Sequence, residues 1–154
     1  MIAFTMPAIP VPQPRQRHRI VAGGGRTFAM NYTPRGDPVN DYKATVRMAA
    51  TAAYTGPPVE GPLEVAFQFV MPRPKSLRWK SRPMPRLWHA TGKDLDNLAK
   101  STLDALCGLL FADDGQVARL VLSKMIAAGD ESPRVLVTLE RLTEVSPCPS
   151  PSTR

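Results

Sequence analysis

Leu63-Glu64-Val65-Ala66-Phe67-Gln68-Phe69-Val70-Met71 sets the architecture of this chain. Apolar residues at 63, 65, 67, 69 and 71 alternate with Glu64, Ala66, Gln68 and Val70, the period-two pattern of a half-buried strand. Such a strand needs apolar cover, and the sequence on either side supplies it. Upstream, Asp37 stands as N-cap with Pro38 in the first turn, where a missing N–H does no harm. Val39, Tyr42, Val46, Ala49, Ala50 and Ala53 then recur at three- and four-residue steps, which predicts a helix with one apolar stripe, ended by Gly56-Pro57-Pro58. Downstream, a second helix is expected from about Asn97 to Cys107. Ala99, Leu103, Leu106 and Leu110 line one side of it, Leu98 and Leu109 broaden the stripe, and Gly108 is the stop.

Further outward, Ile2 to Met6 reads as a short strand, after which Pro7, Pro10, Pro12 and Pro14 forbid regular structure. The proline run leads into Arg15-Gln16-Arg17-His18-Arg19, a dense basic loop, and Gly23-Gly24-Gly25 turns a hairpin toward Arg26 to Met30. Those glycines lack the G-x-x-x-x-G-K-[ST] pattern of a phosphate cradle, so a turn is the better reading. Beyond the turn Ala112-Asp113-Asp114-Gly115, strands are expected over Val117 to Ile126 and Val135 to Arg141. The order of elements predicts a single α+β domain over residues 1–145, with two main helices packed on a mixed β-sheet. Residues 146–154, rich in Pro and Ser, are expected to form a disordered tail.

A chain of 154 residues holds one such domain. Lys and Arg outnumber Asp and Glu by 20 to 13, a formal charge of +7 that suits a polyanion, nucleic acid before membrane. Cys107 and Cys148, one in an apolar helical stretch and one in the tail, fit neither a zinc site nor a disulfide framework. His18 and His89 have no ligand spacing, and no motif implies an organic cofactor. No apolar run reaches the roughly 18 residues of a membrane span. Met1-Ile2-Ala3-Phe4 carries no basic leader, so a reducing cytoplasmic location is the expectation.

Pro72 to Lys93 differs from the rest. It holds Arg73, Lys75, Arg78, Lys80, Arg82, Arg86 and Lys93 without one acidic residue, is kept irregular by four prolines, and carries Trp79 and Trp88. A loop of this length in a compact domain is commonly functional or disordered, with a solvated charged loop as the plain alternative.

Chemistry concentrates just after it, in Lys93-Asp94-Leu95-Asp96-Asn97-Leu98-Ala99-Lys100. If Asp94 and Asp96 are extended, period-two geometry points both carboxylates to one side. Lys100 lies about one helical turn beyond Asp96, within reach of it. Like charges so close repel, and a divalent cation removes the conflict. Mg²⁺ prefers hard oxygen ligands and is usually held by one or two carboxylates plus waters and phosphate. Ordinary structural uses compete: Asp96 or Asn97 as N-cap, Asp94 as turn chemistry, Lys100 with Asp104 as an exposed pair, and Asp113-Asp114-Gly115 as a routine turn.

Taken together, Asp94-Leu95-Asp96-Asn97-Leu98-x-Lys100, Leu103-Asp104-Ala105-Leu106 and Phe111-x-Asp113-Asp114-x-Gln116-Val117 closely resemble the RusA endonucleases, the Holliday-junction resolvases. Met71-Pro72-Arg73-Pro74-Lys75-Ser76 and the Pro/Arg-rich segment from Pro12 to Arg19 resemble the family less distinctively. The resemblance implies a homodimeric, Mg²⁺-dependent enzyme, with Mn²⁺ as a substitute, that cuts branched DNA, chiefly four-way junctions, by paired nicks. It implies catalytic roles for Asp94, Asp96, Lys100 and Asp114 and metal ligation by Asp94, Asp96 and Asp114, and it leaves Asp113 ambiguous, with capping or shaping the turn as the alternative to a place in the site. Arg15, Arg17, Arg19, Arg73, Lys75 and Arg78 become the expected DNA contacts, and Trp79 or Trp88 either stacks at a branch point or covers a dimer core. Rival readings are a nuclease that prefers flaps or forks, a catalytically idle DNA-binding module, and a basic structural protein whose aspartates are all caps and turns.

Overall fold

Eleven described segments of regular structure follow the chain as β1 (Ile2–Met6), β2 (Arg17–Gly23), β3 (Arg26–Tyr32), α1 (Pro38–Ala53), β4 (Leu63–Met71), a 3₁₀ turn (Lys75–Leu77), β5 (Leu87–Trp88), α2 (Leu95–Leu106), a second 3₁₀ turn (Asp114–Gln116), β6 (Val117–Ile126) and β7 (Arg134–Arg141). The computed structural model describes residues 1–14, 17–23, 26–32, 34 and 36–143, and over 17–23 and 26–32 it describes the backbone. The expected tail therefore lies outside the described residues, as does Arg15. The fold is α+β, with a mixed sheet in the order β1-β7-β4-β6-β5 and a separate β2-β3 ribbon.

β4 is central. It runs antiparallel to β7, with Val65 opposite Leu139 and Phe69 opposite Val135, and parallel to β6, with Phe67 opposite Leu122. The parallel pairing requires a crossover, and α2 lies within it. The alternation read from residues 63–71 is realised up to Phe69, with Leu63, Val65, Phe67 and Phe69 buried and Glu64, Ala66 and Gln68 half-buried, whereas Val70 is buried too, in a second cluster with Met125 and Ala127. Met6, Val135, Val137 and Leu139 complete the sheet's inner face. Each such side chain contributes about 1.5–3 kcal/mol by leaving water.

α1 starts as the sequence predicts. Asp37 is extended and its Oδ1 accepts from the Val39 amide at 3.0 Å, with Pro38 next. Val39, Tyr42, Val46 and Ala50 are buried, whereas Ala53, on the expected stripe, is exposed. α2 differs from expectation: it spans Leu95–Leu106 and buries Ser101 and Thr102 alongside Leu98, Ala99, Ala105 and Leu106. The two buried hydroxyls are satisfied, Ser101 Oγ donating to the Val11 carbonyl at 2.6 Å and Thr102 Oγ1 bonding Tyr42 Oη at 2.8 Å. Burial pushes the Tyr42 phenol up to about 12, the bond to Thr102 working against that rise. Lys43 of α1 pairs with Asp104 of α2 at 3.0 Å, and Arg47 donates to the Ala105 carbonyl.

The proline-rich arm lies along the N-terminal half of α2. Lys93 Nζ donates to the Pro10 carbonyl at 2.8 Å, and the Gln13 amide donates to the Asn97 carbonyl at 2.9 Å. The backbone of 17–19, expected as loop, is strand: Arg17 pairs with Tyr32 and Arg19 with Met30. Among the described residues, no helix is long and apolar enough to cross a membrane.

Candidate active site and nucleic-acid interface

α2 positions the chemistry. Asp94 occupies its N-cap in extended conformation (φ −68°, ψ 138°), yet its carboxylate makes no capping hydrogen bond. Asp96 lies in the first helical turn and Lys100 one turn further on, all three exposed. The period-two argument for Asp94 and Asp96 is therefore corrected. The pair straddles the helix boundary, because α2 begins at Leu95, which turns half-buried toward the core. Both carboxylates still sit at the helix N-terminus, where unpaired backbone N–H groups and the helix dipole favour negative charge.

The competing structural roles fall to neighbours. Asp104, the expected partner of Lys100, is taken by Lys43. Asp113, not Asp114, caps its turn: Asp113 Oδ1 accepts from the Gly115 amide at 2.7 Å, and the Gln116 side chain accepts from the Asp113 amide at 3.1 Å. Gln116 also donates to the Val59 and Gly61 carbonyls, fixing the turn to the start of β4. Among the described residues, the side chains of Asp94, Asp96, Lys100 and Asp114 make no hydrogen bond or ion pair.

The structure does not gather all four. Asp94 and Asp96 stand at the N-terminal end of α2, whereas Asp114 follows the turn at its C-terminal end, where Cys107 bridges to Phe111. Twelve residues of helix place those ends about 18 Å apart. β6 gives the same result independently. It starts three residues after Asp114, and seven residues further on Lys124 Nζ donates to the Lys93 carbonyl, next to Asp94. Among the described residues, no group of three or more His, Cys, Asp or Glu is placed to hold a metal ion. Asp94 and Asp96 alone offer the hard carboxylate oxygens that Mg²⁺ accepts, one or two at a time, with waters filling the remainder. The donor set at this end of α2 fits that ion.

The basic loop divides into anchors and free cations. Arg73 is 4% exposed, and its guanidinium donates to the carbonyls of Ala127 at 2.8 Å, Leu77 at 3.1 Å and Pro85. Its nomination as a DNA contact is thereby corrected: every guanidinium nitrogen is spent on a backbone carbonyl. Arg86 binds Glu131, which also pairs with Arg134 and accepts from the Ala128 amide. The bond from Arg86, followed by those of Ala128 and Arg134, pulls the Glu131 carboxyl down to about 2 against the opposing effect of burial. Lys93 is tied to Pro10, and burial holds it below the usual lysine range. Lys75, Arg78 and Lys80 remain exposed and unpaired among the described residues, and Arg82 stacks 3.6 Å from the Trp79 ring centroid. Trp88, on the two-residue β5 that sequence reasoning missed, is 77% exposed. Arg17 and Arg19 lie on β2, which begins four residues after Gln13 and so within about 14 Å of it.

Comparison with known proteins places the chain in a family. The family description "Endodeoxyribonuclease RusA" matches residues 7–140, which include the arm, the basic loop, α2 and the turn bearing Asp114. The uncharacterized protein YqaN of Bacillus subtilis (strain 168) is 30% identical over 149 residues, covering 92% of this chain and 97% of that protein. With the match running through nearly every element of the domain, the chain belongs to the RusA endodeoxyribonuclease family.

Proposed function

We propose that the protein is a Mg²⁺-dependent endonuclease that resolves four-way DNA junctions by paired nicks, acting as a homodimer. One observation carries the proposal. The side chains of Asp94, Asp96, Lys100 and Asp114 are left without a hydrogen-bond or ion-pair partner among the described residues, while Asp104 and Asp113 beside them take the structural work. Asp94 and Asp96 would hold the cation, with Mn²⁺ as a substitute. When bound, that ion supplies Lewis-acid polarisation of the phosphoryl oxygens and a more acidic water.

The chain's own residues account for the remainder. The first-turn amides of α2 face the phosphate, since Asp94 does not cap them. Lys100 places an ammonium one turn from Asp96, where it neutralises charge that develops as water oxygen bonds to phosphorus and the opposite P–O bond breaks. A two-fold symmetric junction needs two such centres related by symmetry, hence the homodimer. Lys75, Arg78, Lys80 and the β2 arginines track backbone phosphates, and Trp88 offers the exposed ring on which an unstacked base can rest.

The deciding experiment incubates the protein with a synthetic four-way junction and a matched linear duplex, with Mg²⁺ or with chelator. Junction-selective nicking that the chelator stops is the expected result. A folded protein that leaves the junction uncut with either Mg²⁺ or Mn²⁺ overturns the proposal. For the interface, Lys75→Ala and Arg78→Ala should each lower the slope of log K against log salt by about 0.9 on duplex arms. Unchanged slopes in a binding titration would return the loop to a solvated surface.

A further inference from the structure

We infer that Lys124 of β6 is a positioning residue for the metal site: its ammonium grips the peptide that delivers Asp94, and the carboxylate keeps its place through that grip. The inference rests on the nuclease reading above and deepens it, since that reading gives Asp94 a task and leaves open what holds it still.

Asp94 needs a holder outside the helix. Mg²⁺ demands near-ideal octahedral geometry, so a ligand oxygen has to stay within about 0.5 Å of its place. Asp96 belongs to the first turn of α2 and takes its position from the helix. Asp94 stands one residue before the helix, extended, and its carboxylate makes no capping bond. Its carbonyl accepts from the Leu98 amide at 3.1 Å, which fixes the peptide after it. The peptide before it belongs to the segment from His89 to Lys93, which Gly92 turns with φ +77°.

Lys124 pins that segment at three points. Its backbone carbonyl accepts from the His89 amide at 3.1 Å, and its Nζ donates to the carbonyls of Thr91, at 3.2 Å, and of Lys93. The Lys93 carbonyl is part of the peptide bond to Asp94, so the grip acts on the last unit before the carboxylate. Lys93 Nζ, bound to the Pro10 carbonyl, ties the same segment to the proline-rich arm. Sheet and arm thus hold the approach to Asp94 together, and the sheet does so through one side chain.

The place of Lys124 in its strand is the second observation. Leu120, Leu122, Lys124 and Ile126 follow one face of β6, and Lys124 lies opposite Phe69, which is fully buried. Period two calls for an apolar residue there. Breaks of such a local rule are expected at functional sites. The lysine can lay its stem along the apolar face and carry its charge to the rim. Among the described residues no carboxylate pairs with it there, and its donors go to backbone carbonyls instead. An apolar residue would serve the core as well. What lysine adds is the hold on Thr91 and Lys93.

Lys124→Met keeps the stem and the bond from the His89 amide, and removes the donors. Mn²⁺ titration of this variant, followed by electron paramagnetic resonance, should show affinity for the ion reduced at least about 10-fold, as when a residue that orients a metal ligand is lost. The Mg²⁺ concentration for half-maximal junction nicking should rise in step, while junction affinity in chelator stays at the wild-type value. Lys124→Arg, which keeps donors for both carbonyls, should restore most of the loss. A Met variant that is folded by circular dichroism and binds Mn²⁺ as the wild type does overturns the positioning role and leaves the nuclease reading standing. An Arg variant no better than the Met variant overturns it too. Reduced junction affinity with unchanged Mn²⁺ affinity also overturns it, making Lys124 a phosphate contact. If the Met variant does not fold, Lys124→Gln, one bond shorter and neutral, takes the same titration with the same expectation of weaker Mn²⁺ binding. A wild type that neither binds Mn²⁺ nor cuts junctions overturns the nuclease reading, and the positioning role with it.

Discussion

Asp96→Asn is expected to slow Mg²⁺-dependent junction cleavage at least about 100-fold while the protein stays folded and binds junctions as well as before, or better. Asp96 lies exposed in the first turn of α2 and its carboxylate makes no hydrogen bond among the described residues, so structure loses little. Its interaction with the helix dipole is worth about 0.3–1 kcal/mol, and a polar, near-isosteric Asn leaves the helix register intact. What disappears is the negative charge proposed to hold the cation, and cation-assisted charge stabilisation is worth several kcal/mol in the transition state. Losing a charge beside phosphate also relieves repulsion, so affinity in a gel-shift titration should not fall. Lys100→Ala should behave alike, lowering kcat with little change in binding, because its role belongs to the transition state. A folded Asp96→Asn variant that cuts at the wild-type rate would sink the assignment.

Arg73→Ala is expected to destabilise the fold by about 3 kcal/mol or more, which for a domain of this size lowers Tm by roughly 6–12 °C. The guanidinium is the hub of the basic loop, joining carbonyls from Ala127, Leu77 and Pro85. Its removal leaves those acceptors without partners in a water-poor setting, at about 1–3 kcal/mol for each one that stays buried. Arg73→Lys should rescue little, since a point charge with three donors cannot reproduce a planar fork reaching three directions. Thermal denaturation with both variants checks this. A variant of unchanged Tm and reduced DNA affinity would restore Arg73 as a phosphate contact.

Arg73 also shows where sequence stops being informative. In the string Pro72-Arg73-Pro74-Lys75 it is indistinguishable from the cations around it, and only three-dimensional contact with Ala127, 54 positions away, turns it inward. A faint signal existed in its position two residues beyond Phe69-Val70-Met71, where the alternation of β4 continues inward. Elements with a strong local period were legible. β4, β6 and β7 fell within one residue of the bounds read from alternation, and α1 began at its Asp37 cap, because each writes its environment along a single stretch of chain. β5 was not legible, since two residues carry no period and its existence depends on Met125 and Ile126. β2 was hidden because Arg17-His18-Arg19 reads as charge, while strand there follows from pairing with β3.

The D-x-D pair lay between these cases. Its residues and the lysine four positions after Asp96 were visible in sequence, but α2 starts at Leu95, so Leu95 and Asp96 are helical rather than extended. Spacing along the chain also said nothing of the distance between Asp94 and Asp114, which the helix between them holds apart.

The strand order has a consequence for biosynthesis. Every pairing in the five-stranded sheet includes β6 or β7: β1 with β7, β7 with β4, β4 with β6, and β6 with β5. When β4 leaves the ribosome its five fully buried side chains have no strand to meet, and residues 72–116 must be made before the first partner begins. At about 5–20 residues per second the nascent chain carries that apolar strand unpaired for several seconds. Folding of the sheet is thus deferred to the last quarter of translation. Chains broken off before Val117 expose a strand fit for intermolecular pairing and become natural clients of chaperones and proteases.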